Sequence, residues 1–313
     1  MTSSNWYGAP LRTLEGGYSG ETYLAGSPPD QVVVRIYARD PARAAVDASL
    51  LRLVRGLVPV PEVLELRHPT DRTPAVLVTR YVAGTRLDLA LADRSEPLDL
   101  ERLGQSLADM LNTLGGIPFL RFAKFADADL TLSAEELPGD LRGWAEHVRD
   151  NGRLSAWAVP DWEALLALVD LAEDLQAGEA EHQSVRAVLV HSDVNPKNIL
   201  VDGATAQIVA LLDWEFAHAG SPYTDLGNLC RFERDAEVVE PLLSCLTGVR
   251  DGDVGRHLRL ARAADLWALL ELAGRPRPGP VQQLADELLL AQARAGDLDA
   301  WPWATSRVAP NPG

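Results

Sequence analysis

The sequence predicts an α+β fold: a small antiparallel sheet in the N-terminal part and a mostly helical C-terminal part. Three observations predict it. Short β-branched runs separated by turn residues crowd the first 82 positions. Long segments with leucine at helical spacing fill much of the remainder. Two short apolar runs joined by Asp202-Gly203 interrupt those helices. The expected division is an N-terminal lobe over 1–82 and a helical lobe over 83–313, with Val82-Ala83-Gly84 as the hinge.

Leu11 to Glu15 and Glu21 to Ala25 read as a hairpin around Gly16-Gly17-Tyr18-Ser19-Gly20. Gln31 to Tyr37 is a strand marked by three consecutive valines. Asp40-Pro41 then opens a helix to about Arg55, with Asp at the N-cap and Pro at the first turn. Val63 to Arg67 and Ala75 to Tyr81 complete five strands. Beyond the hinge, Leu98 to Leu114 places Leu100, Leu103, Leu107, Met110, Leu111 and Leu114 on one helix face, and Gly115-Gly116 ends it. Residues 117–158 read as irregular to weakly helical. Glu135, Glu136, Asp140 and Glu146 mark them as part of an acceptor-site insertion. A helix follows over Asp161 to Gln176, then strands at Ala187 to Val190, Ile199 to Val201 and Gln207 to Leu212. Four helices are expected around 223–233, 236–246, 253–273 and 279–295, followed by a Pro- and Trp-rich tail.

The chemistry concentrates at His191-Ser192-Asp193-Val194-Asn195-Pro196-Lys197-Asn198, which reads H-x-D-x-x-x-x-N. An Asp and an Asn five apart on a tight loop suit phosphoryl transfer: the Asp takes the proton of an attacking hydroxyl and the Asn holds a magnesium ion. Asp193 is therefore the candidate base, and Asn198 and Asp213 are the candidate metal ligands. The hairpin of Ile199–Val201 and Gln207–Leu212 carries Asp213 back toward Asn198. Magnesium takes few protein ligands, oxygen ones, alongside phosphate oxygens and water. His191 reads as a prop for the loop. Glu215 and Lys197 stay open between a role at the site and a solvated surface.

The segments His191–Asn198, Asp213-Trp214-Glu215 and Gly220-Ser221-Pro222-Tyr223-Thr224-Asp225-Leu226 give the chain a resemblance. It resembles the aminoglycoside phosphotransferase and choline kinase family, a branch with the two-lobed protein-kinase-like fold, over roughly residues 10 to 275. The sequence has D-W-E where protein kinases have D-F-G, and it lacks the A-P-E pattern that seats a polypeptide. Both departures favour a small acceptor. The resemblance implies ATP as the default donor, with GTP not excluded, and Mg2+. Ser19 and Gly20 would cover the phosphates. Arg35, in Val33-Val34-Arg35-Ile36, takes the position of the phosphate-binding lysine, and its fork can bind phosphate bidentately. Alignment on Val58-Pro59-Val60-Pro61 puts Asp47 where the family carries the glutamate that pairs with that lysine. An Arg35–Asp47 pair is thus the expected counterpart. The base should sit at Thr79-Arg80-Tyr81-Val82, with Thr79, Tyr81 and Val82 as candidate contacts. Asp225 matches a position that buttresses the catalytic loop.

Charge narrows the acceptor. The net charge is −16, yet residues 1–82 carry nine Arg and eight acidic residues, a net of +1. The other residues carry twenty Lys or Arg against thirty-seven acidic residues, a net of −17. Such a field repels nucleic acid and attracts cations, while acidity also serves solubility. The reading is a phosphotransferase for a hydroxyl of a small cationic antibiotic, aminoglycoside-like or a basic peptide, with resistance by modification implied by the resemblance. The alternatives are a metabolic kinase for a choline-, amino sugar- or homoserine-like acceptor, and a non-catalytic pseudokinase. There is no run of 18 apolar residues and no signal-like start. Cys230 and Cys245 read as two thiols. The expectation is a cytoplasmic protein, monomer or homodimer, with no nucleic-acid or membrane partner.

Overall fold

The computed structural model describes residues 10–14, 21–93, 95–134, 140–182, 186–247, 253–277 and 279–303. Its strands are β1 (Arg12–Thr13), β2 (Glu21–Ala25), β3 (Val32–Tyr37), β4 (Val63–Arg67), β5 (Ala75–Arg80), β6 (Thr85–Arg86), β7 (Pro118–Phe119), β8 (Ala123–Lys124), β9 (Ala187–Val190), β10 (Ile199–Val201), β11 (Ile208–Leu211) and β12 (His218–Gly220). Its helices are α1 (Arg43–Val54), α2 (Leu87–Ala92), α3 (Leu100–Gly115), α4 (Leu141–Asn151), α5 (Val159–His182), α6 (Thr224–Cys230), α7 (Ala236–Cys245), α8 (Val254–Gly274) and α9 (Pro280–Ala295). The fold is α+β, with an antiparallel sheet early in the chain and helices dominating later.

The chain forms two compact units, and neither is a single stretch of sequence. The first comprises Met1–Leu98, Lys124–Ser133 and Pro196–Ala217; the second comprises Asp99–Ala123, Ala134–Asn195 and His218–Gly313. The expected division at residue 82 differs from this, and the reason is hydrogen bonding. β6 pairs antiparallel with β10, Leu200 opposite Arg86 and Val201 opposite Thr85, and β10 pairs in turn with β11. The segment after the hinge and the later hairpin therefore share one sheet. Gly84 makes this close approach possible: a Cβ there would lie 2.8 Å from Val209 Cγ2 and 3.2 Å from the Val201 carbonyl oxygen.

The main sheet of the first unit has the order β1-β2-β3-β5-β4. Val32, Val34 and Val78 pack with Ala25 on one face. Period-2 alternation along β3 puts Arg35 and Tyr37 on the other face. Helix α1 starts later than the Asp40-Pro41 signal suggests, but Asp40 still accepts from the Arg43 N–H, at 3.4 Å.

In the second unit, Asp99 caps α3 by accepting from the Arg102 N–H. Leu103, Leu107, Met110, Leu111 and Leu114 are buried as the periodicity requires. Helices α4, α5, α8 and α9 share a core built on Leu165, Leu168, Leu266, Leu270 and Leu288. Within the stretch expected to be irregular to weakly helical, residues 141–151 form a full helix, α4, with Asp140 as its cap on the Gly143 N–H. Asp140 is thereby a helix cap, and Glu135 and Glu136 lie outside the described residues. The tail packs as far as Trp303: Leu298 is fully buried, and the Trp301 and Trp303 rings meet edge to face at 4.5 Å. Among the described residues, no helix is long and apolar enough to cross a membrane.

Candidate active site

In the first unit the β10–β11 hairpin sets the candidate metal ligands. Ile199 stands opposite Leu211, and the Leu212 N–H donates to the Asn198 carbonyl at 2.8 Å. Asn198 thus stands opposite Leu212 at the open end of one ladder, and Asp213 is the next residue beyond Leu212. The Leu211 N–H donates outward to the Pro59 carbonyl, which ties the hairpin to the segment after α1. Asp213 has φ of +63°, in the left-handed region. Asp tolerates that region better than most residues, and such conformations persist where the surroundings impose them. Next to it Trp214 is 2% exposed, and its indole N–H donates to the Leu211 carbonyl. The Trp of D-W-E is a core peg.

Arg35 meets this turn directly. Its Nη1 donates to Asp213 Oδ1 at 2.6 Å and its Nη2 to Glu215 Oε2 at 2.7 Å. The guanidinium lies over the Tyr37 ring, 5.1 Å from its centre. Burial alone would lower the pKa of Arg35, but Asp213, with Glu215 and Tyr37 adding to it, more than reverses that, and the group stays charged.

The expected Arg35–Asp47 pair is replaced by a different arrangement. Asp47, 2% exposed, accepts from Arg43 Nε at 2.6 Å and from the Tyr37 hydroxyl at 2.7 Å. Arg43 also donates through Nη2 to the Trp214 carbonyl at 2.6 Å. Asp47 is therefore a strut that braces the turn through Arg43. Its aspartate side chain is one methylene shorter than glutamate, and it lies within reach of the Arg one helical turn before it. Burial raises its pKa, while Arg43, Tyr37 and, least, the charge of Arg35 pull the other way. Burial raises the Tyr37 hydroxyl well above its usual range, with Asp47 adding to the effect. Arg43 and Tyr37 were missed in the sequence reading. The i,i+4 spacing of Arg43 and Asp47 and the period-2 spacing of Arg35 and Tyr37 were the available signals.

At the candidate nucleotide-base segment, the Tyr81 N–H donates to the Gln31 carbonyl and the Arg80 N–H to the Glu62 carbonyl. Thr79 stands opposite Val33 within the sheet. The Tyr81 and Arg80 amides are thus committed to the sheet and its border, which leaves carbonyls, side chains and Val82 for the expected contact. Ser19 and Gly20 lie outside the described residues.

The second unit holds the candidate base. Strand β9 is buried along its whole length and is flanked by β7 and β12. It delivers His191, fully buried, to the loop. Asp225, on the first turn of α6, accepts the His191 N–H on Oδ2 at 2.9 Å and the Ser192 N–H on Oδ1 at 2.7 Å. Two amides on one carboxylate fix the loop, and Ser192 turns it with φ of +64°. The Asp193 N–H points to His191 Nδ1 at 3.3 Å, and Asn195 Nδ2 donates to Asp193 Oδ1 at 2.8 Å. His191 is thus the expected prop, and Asn195 is an orienting partner that the sequence reading passed over. Burial drives the Asp225 pKa from an ordinary 3.8 to about 6; the two amides oppose the rise and the charge of Asp193 adds to it.

Residues 10–303 match the phosphotransferase enzyme family. The chain belongs to that family. Among solved structures, an aminoglycoside 2'-phosphotransferase-IIIa mutant in complex with GDP superimposes with a TM-score of 0.62 at 16% identity, covering 93% of this chain and 87% of that one. A GDP and kanamycin complex of APH(2")-IIIa gives 0.60 at 18% identity, covering 91% and 93%. A thermostable mutant of the aminoglycoside phosphotransferase APH(4)-Ia, in ternary complex with ADP and hygromycin B, gives 0.58 at 18% identity, covering 92% and 91%. These likenesses establish the kinase-like fold of this phosphotransferase. A curated relative, acyl-CoA dehydrogenase family member 10 of Mus musculus, is 24% identical over 253 residues, 78% of this chain. The chain spans only 22% of that relative's length.

Proposed function

We propose that this phosphotransferase moves the terminal phosphoryl group of ATP or GTP to a hydroxyl of a small cationic acceptor, an antibiotic of the aminoglycoside or basic-peptide kind. The observation that carries the reading is the hairpin end: the Leu212 N–H on the Asn198 carbonyl sets Asn198 opposite the residue that Asp213 directly follows, and a charged guanidinium sits on Asp213. The donor set suits magnesium, which takes carboxylate and carbonyl oxygens. A carboxylate has about four lone-pair positions, so Arg35 on Oδ1 leaves Asp213 able to ligate.

Asn198 and Asp213 would hold the ion, which when bound neutralises charge on the transferring phosphate. Arg35 offers its fork to the nucleotide phosphates. Asp193 orients the acceptor hydroxyl and takes its proton as the phosphoryl group leaves the nucleotide, and Asn195 sets the carboxylate's rotamer for that task. Asp225 holds the loop's amides. The acidic excess of residues 83–313 favours a cationic acceptor. The proposed setting is the cytoplasm, where nucleoside triphosphate is available.

The test is nucleotide consumption with magnesium across a panel of aminoglycosides, basic peptide antibiotics, choline, amino sugars and homoserine. Acceptor-dependent release of ADP or GDP with an antibiotic is expected. Turnover confined to choline, an amino sugar or homoserine would assign a metabolic role instead.

A further inference from the structure

We propose that Glu215 is a positioning residue: with Asp213 it holds the Arg35 fork in the orientation that meets nucleotide phosphates, doing the work expected of an acid on α1. The inference deepens the proposed function and rests on Arg35 being the phosphate-binding cation.

Its ground is the division of partners between two arginines of the first unit. Asp47, on α1, is held by Arg43 and Tyr37. Arg35 takes two carboxylates from one turn, Asp213 on one prong and Glu215 on the other, at 2.6 and 2.7 Å. A planar fork with two terminal nitrogens satisfies two acids at once; a lysine ammonium is a point donor on a flexible stem. The Arg at this position and the Glu of D-W-E therefore fit each other.

The turn is stiff enough to aim the pair. Trp214, between the two acids, is pegged by its indole N–H to Leu211 and by its carbonyl to Arg43. The side chains of Arg35, Asp213 and Glu215 are 15%, 21% and 11% exposed, so solvent screens the pairs only partly. The Tyr37 ring supports the guanidinium as a third contact.

Neutralising Glu215 has two opposed effects on a bound phosphate. It frees Arg35 to reorient, and it removes a negative charge that repels the ligand. The account requires the first to dominate. The experiment is a double-mutant cycle, Glu215→Gln, Arg35→Gln and both together, read as the Kd of a fluorescent ADP or GDP analogue, with EDTA and again with magnesium. Folding is checked by Tm. Each single substitution is expected to weaken binding about tenfold without metal, as loss of a charge-assisted contact does, with the double no weaker than Arg35→Gln. Binding by Glu215→Gln that is unchanged or tighter in EDTA, a defect seen only with magnesium, or effects that multiply would each overturn the inference. If Glu215→Gln fails to fold, Glu215→Asp enters the same cycle and is expected to weaken binding less. A wild-type protein that binds neither nucleotide would sink the functional reading itself, a result distinct from normal binding with an indifferent Glu215.

Discussion

At the residue scale the account turns on a few carboxylates whose surroundings give them different work. Asp193 is steered by Asn195, Asp213 by its left-handed backbone, Asp47 by Arg43, and Asp225 by two amides. Asp193→Ala is expected to lower kcat by about 10²- to 10⁴-fold, the usual worth of a positioned base, with nucleotide affinity retained; undiminished turnover would remove Asp193 from that role. Asp225 makes a pH prediction. Its folded pKa lies near 6, above the ordinary 3.8, so between those values the folded state binds more protons than the unfolded one. Its own contribution to stability therefore declines as pH rises through that window. Its grip on the His191 and Ser192 amides runs the other way and needs the carboxylate. Activity is expected to fall as pH drops through about 6, and Asp225→Asn is expected to flatten the change of Tm between pH 4 and 6. An unaltered Tm profile in that variant would contradict the assignment.

At the scale of elements, two junctions stand out. In the second unit Arg231 grips Asp265 through Nε and Nη2 at 2.7 and 2.6 Å, and Asn228 donates to the same carboxylate at 2.7 Å, all buried. This polar lock joins α6, which carries Asp225, to α8. Asp265→Ala leaves a buried guanidinium without its acid and is expected to cost about 3–5 kcal/mol in denaturant unfolding. Beside it, a Cβ on Gly227 would clash with the Ala261 carbonyl oxygen. Gly227→Ala is expected to push the helices apart and to lower Tm by several degrees, since backbone cannot give way as a side-chain tip can; a Tm within a degree of wild type would refute this packing. Helix periodicity announced α3 and α6–α9 because each presents an apolar stripe. It missed β6, α2 and β12, which are too short to show a period, and showed α4 only as weakly helical, since its apolar positions are few among charges. The polar lock left no trace in pattern, because Arg231 and Asp265 look like surface charges until the packing buries them.

At the scale of the whole molecule, two compact units each carry part of the candidate machinery. The loop motif and the D-W-E triplet were legible because their spacing reflects chemistry: an Asp and an Asn five apart, and an acid ending a hairpin strand. The partner of Arg35 was not legible, since residues 35 and 215 meet only through the fold, and alignment pointed instead to Asp47. The acidic excess after residue 82 sets the expected acceptor chemistry. If attraction of a polycation operates, kcat/KM for a charged antibiotic should decline with added salt more steeply than for a neutral acceptor, because screening acts on the long-range field; equal slopes would assign the acidity to solubility. The central claim is phosphoryl transfer to a hydroxyl of a small cationic antibiotic. Mass spectrometry of acceptors after incubation with nucleotide and magnesium tests it most directly. The account predicts that an aminoglycoside or basic peptide antibiotic gains one phosphoryl group with the wild-type protein and none with Asp193→Ala; equal phosphorylation by both proteins, or transfer confined to non-antibiotic metabolites, would contradict it.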